Sequence, residues 1–284
     1  MMNLHPTLNP DLLLAFTTVA ETRHFTQAAQ RLNSTQSTVS MQIKRLEDKL
    51  QVSLFKRSKR DVALTKQGEI LLRYAHRISR LTDEALTEIG LPIKSGKLRI
   101  AATDMSLVYL PKILQEFHNS HPLINIELHC KRSWDALDML DSGLIDLAFV
   151  TQHPQRQGAK QVSQSQLVWA CANHSDVATQ NPIPLAVFGQ GCIYRESALT
   201  ALKTTNKPYR LAYESPSRAG LDCAVNAGLA ATITPQDCLT DNLRIIGQAK
   251  SGLPPLPKLT TYLFQTKQPQ SPAVKAFSNL LLNT

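Results

Sequence analysis

The sequence predicts an α+β multidomain chain with a small helical head, one long helix and a larger α/β part. Three observations predict it. Apolar residues recur every three or four positions as far as residue 89, the period of amphipathic helices. From residue 98 onward, short apolar runs alternate with helical stretches, the pattern of a mostly parallel sheet covered by helices. A Pro- and Gly-bearing break, Pro92–Gly96, separates the two and reads as a hinge. The 284 residues, 43% hydrophobic and 19% charged, supply enough apolar material for one to three packed domains and exclude a disordered chain.

In chain order, Asp11 is placed to cap a helix whose apolar face is Leu12, Leu13, Phe16, Val19 and Ala20. A second stripe, Phe25, Ala28, Ala29 and Leu32, has Thr26 near its start. Asn33-Ser34-Thr35 is a polar break. A third run puts Val39, Ile43, Leu46 and Leu50 on one face. Gln36, Ser37, Ser40, Met41, Lys44 and Arg45 fall on the other. Two short helices joined by a tight polar turn, the second with a polar outer face, form a helix-turn-helix pattern. Val52–Phe55 and Val62–Leu64 read as two strands, with Lys56–Asp61 as a basic hairpin, or wing, between them.

Residues 66–89 read as one long helix. Leu71, Tyr74, Ile78, Leu81 and Ala85 make a seam that Leu72 and Ile89 widen. Two uses stay open for this seam: pairing with a second copy, or docking on its own domain. Beyond the hinge, strands are expected at 98–102, 124–129, 147–150, 167–171, 185–188, 210–213, 230–234 and 259–264. Helices are expected at 111–119, 134–141, 197–204, 218–226 and 272–282. Ser271-Pro272 is a good start for the last helix.

Charge and cysteine narrow the function classes. The net charge is +9, and residues 1–97 carry +6 of it; seven Lys and Arg fall within 44–60 against Glu47 and Asp48. Such a local basic cluster suits a polyanion. Five cysteines (Cys130, Cys171, Cys192, Cys223 and Cys238), odd in number and without a C-x-x-C pair, argue against a disulfide framework or a structural zinc site. No H-E-x-x-H, G-x-S-x-G or phosphate-binding glycine loop occurs, so an enzyme is not expected. His118 and His121 lie close together without a third ligand nearby and read as surface residues. No apolar stretch reaches the ~18–20 residues of a membrane helix. Leu12–Ala20 follows Asp11 rather than a basic run, unlike a signal peptide. A cytoplasmic protein with no membrane partner is expected.

Four blocks carry a resemblance: Phe25-Thr26-Gln27-Ala28-Ala29-Gln30-Arg31-Leu32, Gln36-Ser37-Thr38-Val39-Ser40-Met41-Gln42-Ile43-Lys44-Arg45-Leu46-Glu47, Leu54-Phe55-Lys56-Arg57, and Leu64-Thr65-Lys66-Gln67-Gly68. In order and spacing they resemble the amino-terminal signature of the LysR-type transcriptional regulators. Gly143-Leu144-Ile145-Asp146-Leu147-Ala148 resembles the family's G-x-x-D-L-A segment, and Ala227-Gly228-Leu229-Ala230 its A-G-L-G turn, with Ala230 where glycine is common. Lys131-Arg132-Ser133, Leu167-Val168-Trp169 and the 214–221 run are most similar to a subgroup of motility and virulence regulators that includes LrhA, HexA and PecT.

The resemblance implies a winged helix-turn-helix over 1–65, a dimerising linker helix over 66–90 and an effector-binding domain over 91–284. The last would comprise two subdomains similar to periplasmic solute-binding proteins. Subdomain I would hold about 95–165 and 264–284, and subdomain II about 166–263. Crossing strands would run near Leu167–Cys171 and Leu259–Phe264. Expected partners are a double-stranded DNA operator with inverted half-sites, further copies of the chain (homodimer or homotetramer) and RNA polymerase. A small-molecule effector is expected, and no cofactor or metal.

The residues themselves suit those roles. A recognition helix fits the B-DNA major groove, where Gln36 can pair with adenine, Ser37 and Ser40 can read a base or phosphate, and Lys44 can reach guanine or phosphate. Thr26 suits a phosphate contact, and Arg57, Lys59 and Arg60 suit the backbone or the minor groove. Met41 replaces a basic residue often found in the family and can touch a thymine methyl. Lys59 replaces a frequent wing glycine. Effector contacts are expected past the carboxyl ends of strands and at helix N-termini. These are Thr103, Asp104 and Ser106, then Ser133, then Thr151 and Gln152, then Cys192 and Arg195, and finally Ser215 and Ser217. Arg195 suits a carboxylate, while Asp104 leaves the ligand's charge ambiguous. Two alternatives remain: a redox sensor acting through Cys192, whose thiol Arg195 would activate, and a ligand-binding module without DNA activity.

Overall fold

The computed structural model describes residues 8–57, 62–89, 96–151, 156–247, 251–266 and 271–282. They form two compact units, one holding the elements before residue 90 and the other those from residue 96 onward. Among the described residues, no helix is long and apolar enough to cross a membrane.

The first unit is built from α1 (Pro10–Thr22), α2 (Phe25–Arg31), α3 (Gln36–Leu50), β1 (Phe55–Arg57), β2 (Val62–Leu64) and α4 (Lys66–Glu88). The residue that caps α1 is Asn9 rather than Asp11: its side chain accepts from the N–H groups of Asp11 and Leu12, and Pro10 takes the first helical position. The tight turn between α2 and α3 uses Asn33 in the left-handed region (φ 47°), a conformation its short polar side chain tolerates. Thr35 then caps α3, accepting from Thr38 N–H. Leu12, Phe16, Val19, Ala28, Val39, Ile43, Leu46, Leu54 and Phe55 close one apolar core. β1 begins at Phe55, three residues later than expected. Gln51 turns left-handed (φ 54°) and Val52 N–H still bonds the Glu47 carbonyl, so the cap of α3 takes up the start of that run.

The seam of α4 is divided. Leu71, Leu72 and Ile78 pack against the head's core, with Ala75 buried beside them. Ile70, Tyr74, Leu81, Ala85, Leu86 and Ile89 remain exposed. The expected hinge falls almost wholly in residues 90–95, outside the described residues.

Among the described residues the second unit has a curled sheet of seven strands in the order β10 (Leu243–Ile245), β6 (Lys160–Ala172), β11 (Lys258–Gln265), β5 (Leu147–Thr151), β3 (Gly96–Ala102) and β4 (Ile124–Cys130), with β9 (Thr232–Pro235) also paired to β6, and a parallel pair, β7 (Ile183–Phe188) and β8 (Tyr209–Ser215). Parallel β3 (Gly96–Ala102), β4 (Ile124–Cys130) and β5 (Leu147–Thr151) are covered by α5 (Pro111–Ser120), α6 (Ser133–Asp141) and α9 (Pro272–Leu282). Side chains alternate across this sheet. Leu98, Ile100, Leu147 and Phe149 meet Phe117 and Phe277 on one face, while Ala101, Ala148 and Val150 meet Leu137 and Leu140 on the other. β6 (Lys160–Ala172) and β11 (Lys258–Gln265) cross antiparallel between the two halves. The second half adds β7 (Ile183–Phe188), α7 (Ile193–Leu202), β8 (Tyr209–Ser215), α8 (Arg218–Asn226), β9 (Thr232–Pro235) and β10 (Leu243–Ile245), around Trp169, Leu185 and Ile233.

The expected elements are present, with shifted ends. β6 starts seven residues early because 160–166 is polar but for Val162 and is held by main-chain pairing with β11, which leaves no apolar alternation to read. α7 starts four residues early. β10, three residues long, gave no periodic signal.

Candidate nucleic-acid interface and ligand cleft

α3 divides sharply between its two faces. Val39, Ile43 and Leu46 are fully buried in the head's core. Gln36, Ser37, Met41, Lys44 and Arg45 are exposed, Met41 at 65%, and Ser40 is half-buried. Gln36 Nε2 donates to Ser40 Oγ at 3.1 Å, one helical turn on, so these two polar groups are held together. Ser37 Oγ lies 2.9 Å from Thr35 Oγ1 and so shares in the cap. Thr26 is exposed in the first turn of α2.

The helix is locked to the wing from its far end. Glu47 Oε1 accepts from the N–H groups of Leu54 (2.7 Å) and Phe55 (3.3 Å). Thr65 Oγ1 donates to the Ser53 carbonyl and accepts from Gly68 N–H. Gly68 lets α4 approach this junction, since a Cβ there would lie 2.2 Å from the Leu54 carbonyl oxygen. Of the wing residues, Arg57 ends β1. Lys59 and Arg60 lie outside the described residues.

The second unit contains a cleft of about 620 Å³. Five of the expected residues line it: Thr103, Asp104, Ser133, Thr151 and Cys192. Four others do not. Ser106 is fully buried, its hydroxyl bonding the carbonyls of Thr103 and Phe149. Arg195 is taken by Glu214 and by the Phe188 carbonyl. Ser215 and Ser217 build the turn into α8: Ser217 N–H donates to Ser215 Oγ, and Ser217 Oγ caps the helix by accepting from Gly220 N–H. Gln152 lies outside the described residues. The sequence missed the apolar lining, Trp134, Phe188, Ile193, Tyr194 and Pro216, together with the Gly189-Gln190-Gly191 loop that leads into α7. The only available signal was that loop before a helix start, which its two glycines mark.

Each oxygen of Asp104 has one partner within the chain. Its Oδ2 accepts from Arg218 N–H at the start of α8, and its Oδ1 faces Cys130 Sγ at 3.8 Å. Burial, then the Asp104 charge, pushes the Cys130 thiol up. Burial also pushes the Cys192 thiol up, against a smaller pull from the N–H groups of Tyr194 and Arg195. Lys131 and Arg132 reach the same cleft, Arg132 paired with Asp135 at 2.8 Å. His121 stacks on Phe117 at the end of α5. Among the described residues, no three His, Cys, Asp or Glu side chains come together to hold a metal ion.

Comparison with known proteins agrees with this arrangement. Residues 10–69 match the model of the bacterial regulatory helix-turn-helix protein of the lysR family, and residues 94–284 match the LysR substrate binding domain. The chain is 35% identical over 264 residues to the HTH-type transcriptional regulator DgdR of Burkholderia cepacia, covering 92% of this chain and 90% of that protein. It is 33% identical over 257 residues to the regulator PecT of Dickeya dadantii, covering 90% and 81%. Full-length CbnR, solved in complex with its target DNA, superposes with a TM-score of 0.62 at 21% identity, covering 97% of this chain and 99% of that one.

Proposed function

This chain belongs to the LysR family of DNA-binding transcriptional regulators, and we propose that it reads its operator through α3 and the wing, as a two-fold assembly controlled by a small molecule in the cleft of the second unit. Its similarity to PecT fits the motility and virulence subgroup, and its relatives are regulators rather than enzymes.

One observation carries the DNA reading. α3 is anchored by Val39, Ile43 and Leu46 while Gln36, Ser37, Met41 and Lys44 face solvent. In this reading Gln36 and Ser40, already joined by a hydrogen bond, read base edges, and Lys44 reaches guanine or phosphate. Met41 makes an apolar contact with thymine, while Ser37, Thr26, Arg57, Lys59 and Arg60 hold the backbone. The exposed row Tyr74, Leu81 and Ile89 on α4 supports pairing with a second copy, which gives inverted half-sites. The functional divisions are then 1–65, 66–90 and 91–284. CbnR's complex with its own target DNA supports the same mode of binding.

For the effector, the proposed contacts are Thr103, Asp104, Ser133, Thr151 and Cys192, with closure or rotation of the two halves of the second unit as the signal. A ligand shifts that equilibrium only through different affinities for its two states. The redox alternative at Cys192 is less favoured, because a thiol pushed up by burial holds little thiolate.

The test is anisotropy on the operator selected from genomic DNA by the purified protein, titrated with salt. Lys44→Ala is expected to weaken binding and, if the contact is to phosphate alone, to lower the salt slope by ~1. Arg60→Ala should do the same. A protein that selects no DNA leaves only the ligand-binding module. An unchanged affinity and slope in Lys44→Ala removes that residue from the interface.

A further inference from the structure

A two-fold assembly reads two half-sites, so each head must hold α3 in a fixed direction against the helix that pairs the copies. Resting on the proposed operator reading, we infer that Glu47 and Thr65 are the positioning residues for this: they pin α3 and the wing to α4 at Leu54, and so determine which half-site spacing the pair accepts.

The turn after α3 winds around Glu47. Its carbonyl accepts from the N–H groups of Gln51 and Val52, and its Oε1 from those of Leu54 and Phe55 at 2.7 and 3.3 Å. The carbonyl bonds finish the helix and survive a change of side chain. The carboxylate bonds tie Leu54 and the first residue of β1 back onto α3. Backbone N–H groups bonded to a carboxylate make stronger ties than those bonded to a neutral acceptor.

Thr65 holds the same segment from the other side. Its N–H donates to the Leu54 carbonyl at 2.9 Å and its Oγ1 to the Ser53 carbonyl at 2.7 Å. The same Oγ1 accepts from Gly68 N–H at 3.0 Å, and the Thr65 carbonyl accepts from Glu69 N–H, so Thr65 also caps α4. Both backbone groups of Leu54 are therefore committed in opposite directions, its N–H to α3 and its C=O to the start of α4. Its side chain is 1% exposed within the head's core. At Gly68, α4 lies against the Leu54 carbonyl with no room for a methyl group. α3 cannot turn against the start of α4 without breaking one of these bonds or lifting Leu54 out of the core.

This junction bears on spacing rather than on base reading, because Glu47 and Thr65 stand apart from the outward row Gln36, Ser40, Met41 and Lys44. One base pair added between half-sites turns one against the other by about 35° and moves it by about 3.4 Å. Heads pinned to their pairing helices follow such a change poorly. Heads on a loosened joint follow it.

The experiment uses the full-length protein and the operator it selects from genomic DNA, remade with spacers one and two base pairs longer and shorter, beside a single half-site. Anisotropy gives the ratio of affinities for the native and altered spacers, in which any uniform loss from partial unfolding cancels. The unaltered protein should prefer the native spacer. Glu47→Ala and Thr65→Val should each lower that preference about fivefold or more. Glu47→Gln keeps an acceptor oxygen and Thr65→Ser keeps the hydroxyl, and both should retain the preference. Glu47→Ala and Thr65→Val variants that weaken every spacer alike make these residues supports of the fold alone, which overturns the inference while the operator reading stands. A protein that binds the single half-site as tightly as the paired operator overturns the two-fold reading and the inference with it.

Discussion

The two candidate sites of this molecule are built in opposite ways. On α3 the candidate side chains lie within ten consecutive residues, on the face opposite Val39, Ile43 and Leu46, and apart from Ser37, which shares in the cap, they support little of the fold. In the cleft, the lining comes from the ends of β3, β4, β5 and β7 and the starts of α6 and α7, and several of its groups also hold the fold together. Asp104 both lines the cleft and caps α8. A surface read by a duplex can be mutated without touching stability. A cleft whose walls are structural cannot, so in the second unit binding and stability are coupled.

The sharpest way to break this contrast is at the tight junction around Gly68 in the head. Gly68→Ala should cost about 2–3 kcal/mol in urea denaturation, because the new methyl meets the Leu54 carbonyl. An open helix position would instead gain up to ~1 kcal/mol from the same change, so a stabilised variant refutes the close approach. Next, Lys44→Ala should lose about 1–3 kcal/mol of operator binding, yet shift stability by less than ~0.5 kcal/mol. Equal losses in both would mean that α3's outer face is packed after all. In the second unit, Gly228→Ala should cost about 1–2 kcal/mol, since φ is +76° and the methyl would sit 3.0 Å from the His174 ring. Asp104→Asn should cost about 0.5–1 kcal/mol by weakening the α8 N-terminus, and should change ligand affinity at the same time. A stability loss with ligand binding unaltered would separate the two roles and dissolve the coupling.

The smallest effect is a pH dependence. Tyr109 donates to Asp237 at 3.1 Å, and burial, partly opposed by a hydrogen bond with Ser163, pushes its phenol up to about 12. The folded value lies above the ordinary value of 10.0, so this contribution is complete below pH 10 and is lost as pH rises toward 12. Tyr109→Phe should flatten that part of the alkaline unfolding curve. A curve identical to that of the unaltered protein means that the Tyr109 phenol is not raised by folding.

The head was legible because its signals are local. Helix period, the polar break at Asn33–Thr35 and the basic run at 44–60 each sit within one element and its neighbours. Even there, capping at Asn9 and the division of the α4 seam needed the fold, since Leu71 and Tyr74 look alike until a core takes one of them. The cleft was legible by half. Thr103, Thr151 and Cys192 follow from a rule about strand and helix ends. Ser106, Arg195, Ser215 and Ser217 obey the same rule, yet turn to hydrogen bonds within the chain. Nothing in the sequence distinguishes a serine that closes a turn from one that awaits a ligand.

By itself the sequence determined the two-part architecture, the family and the face of α3 that stays open to solvent, because amphipathic period and short-range motifs decide which side of each element a core covers. Only the tertiary structure decided which polar groups stay available in the cleft. That outcome depends on partners distant in the chain: Asp104 on the amide of Arg218, Arg195 on Glu214, and Tyr194 opposite Thr151. The first and last of these pairings join the two halves, which the crossing strands β6 and β11 bring together, while Arg195 meets Glu214 where α7 packs beside β8; no local pattern encodes them.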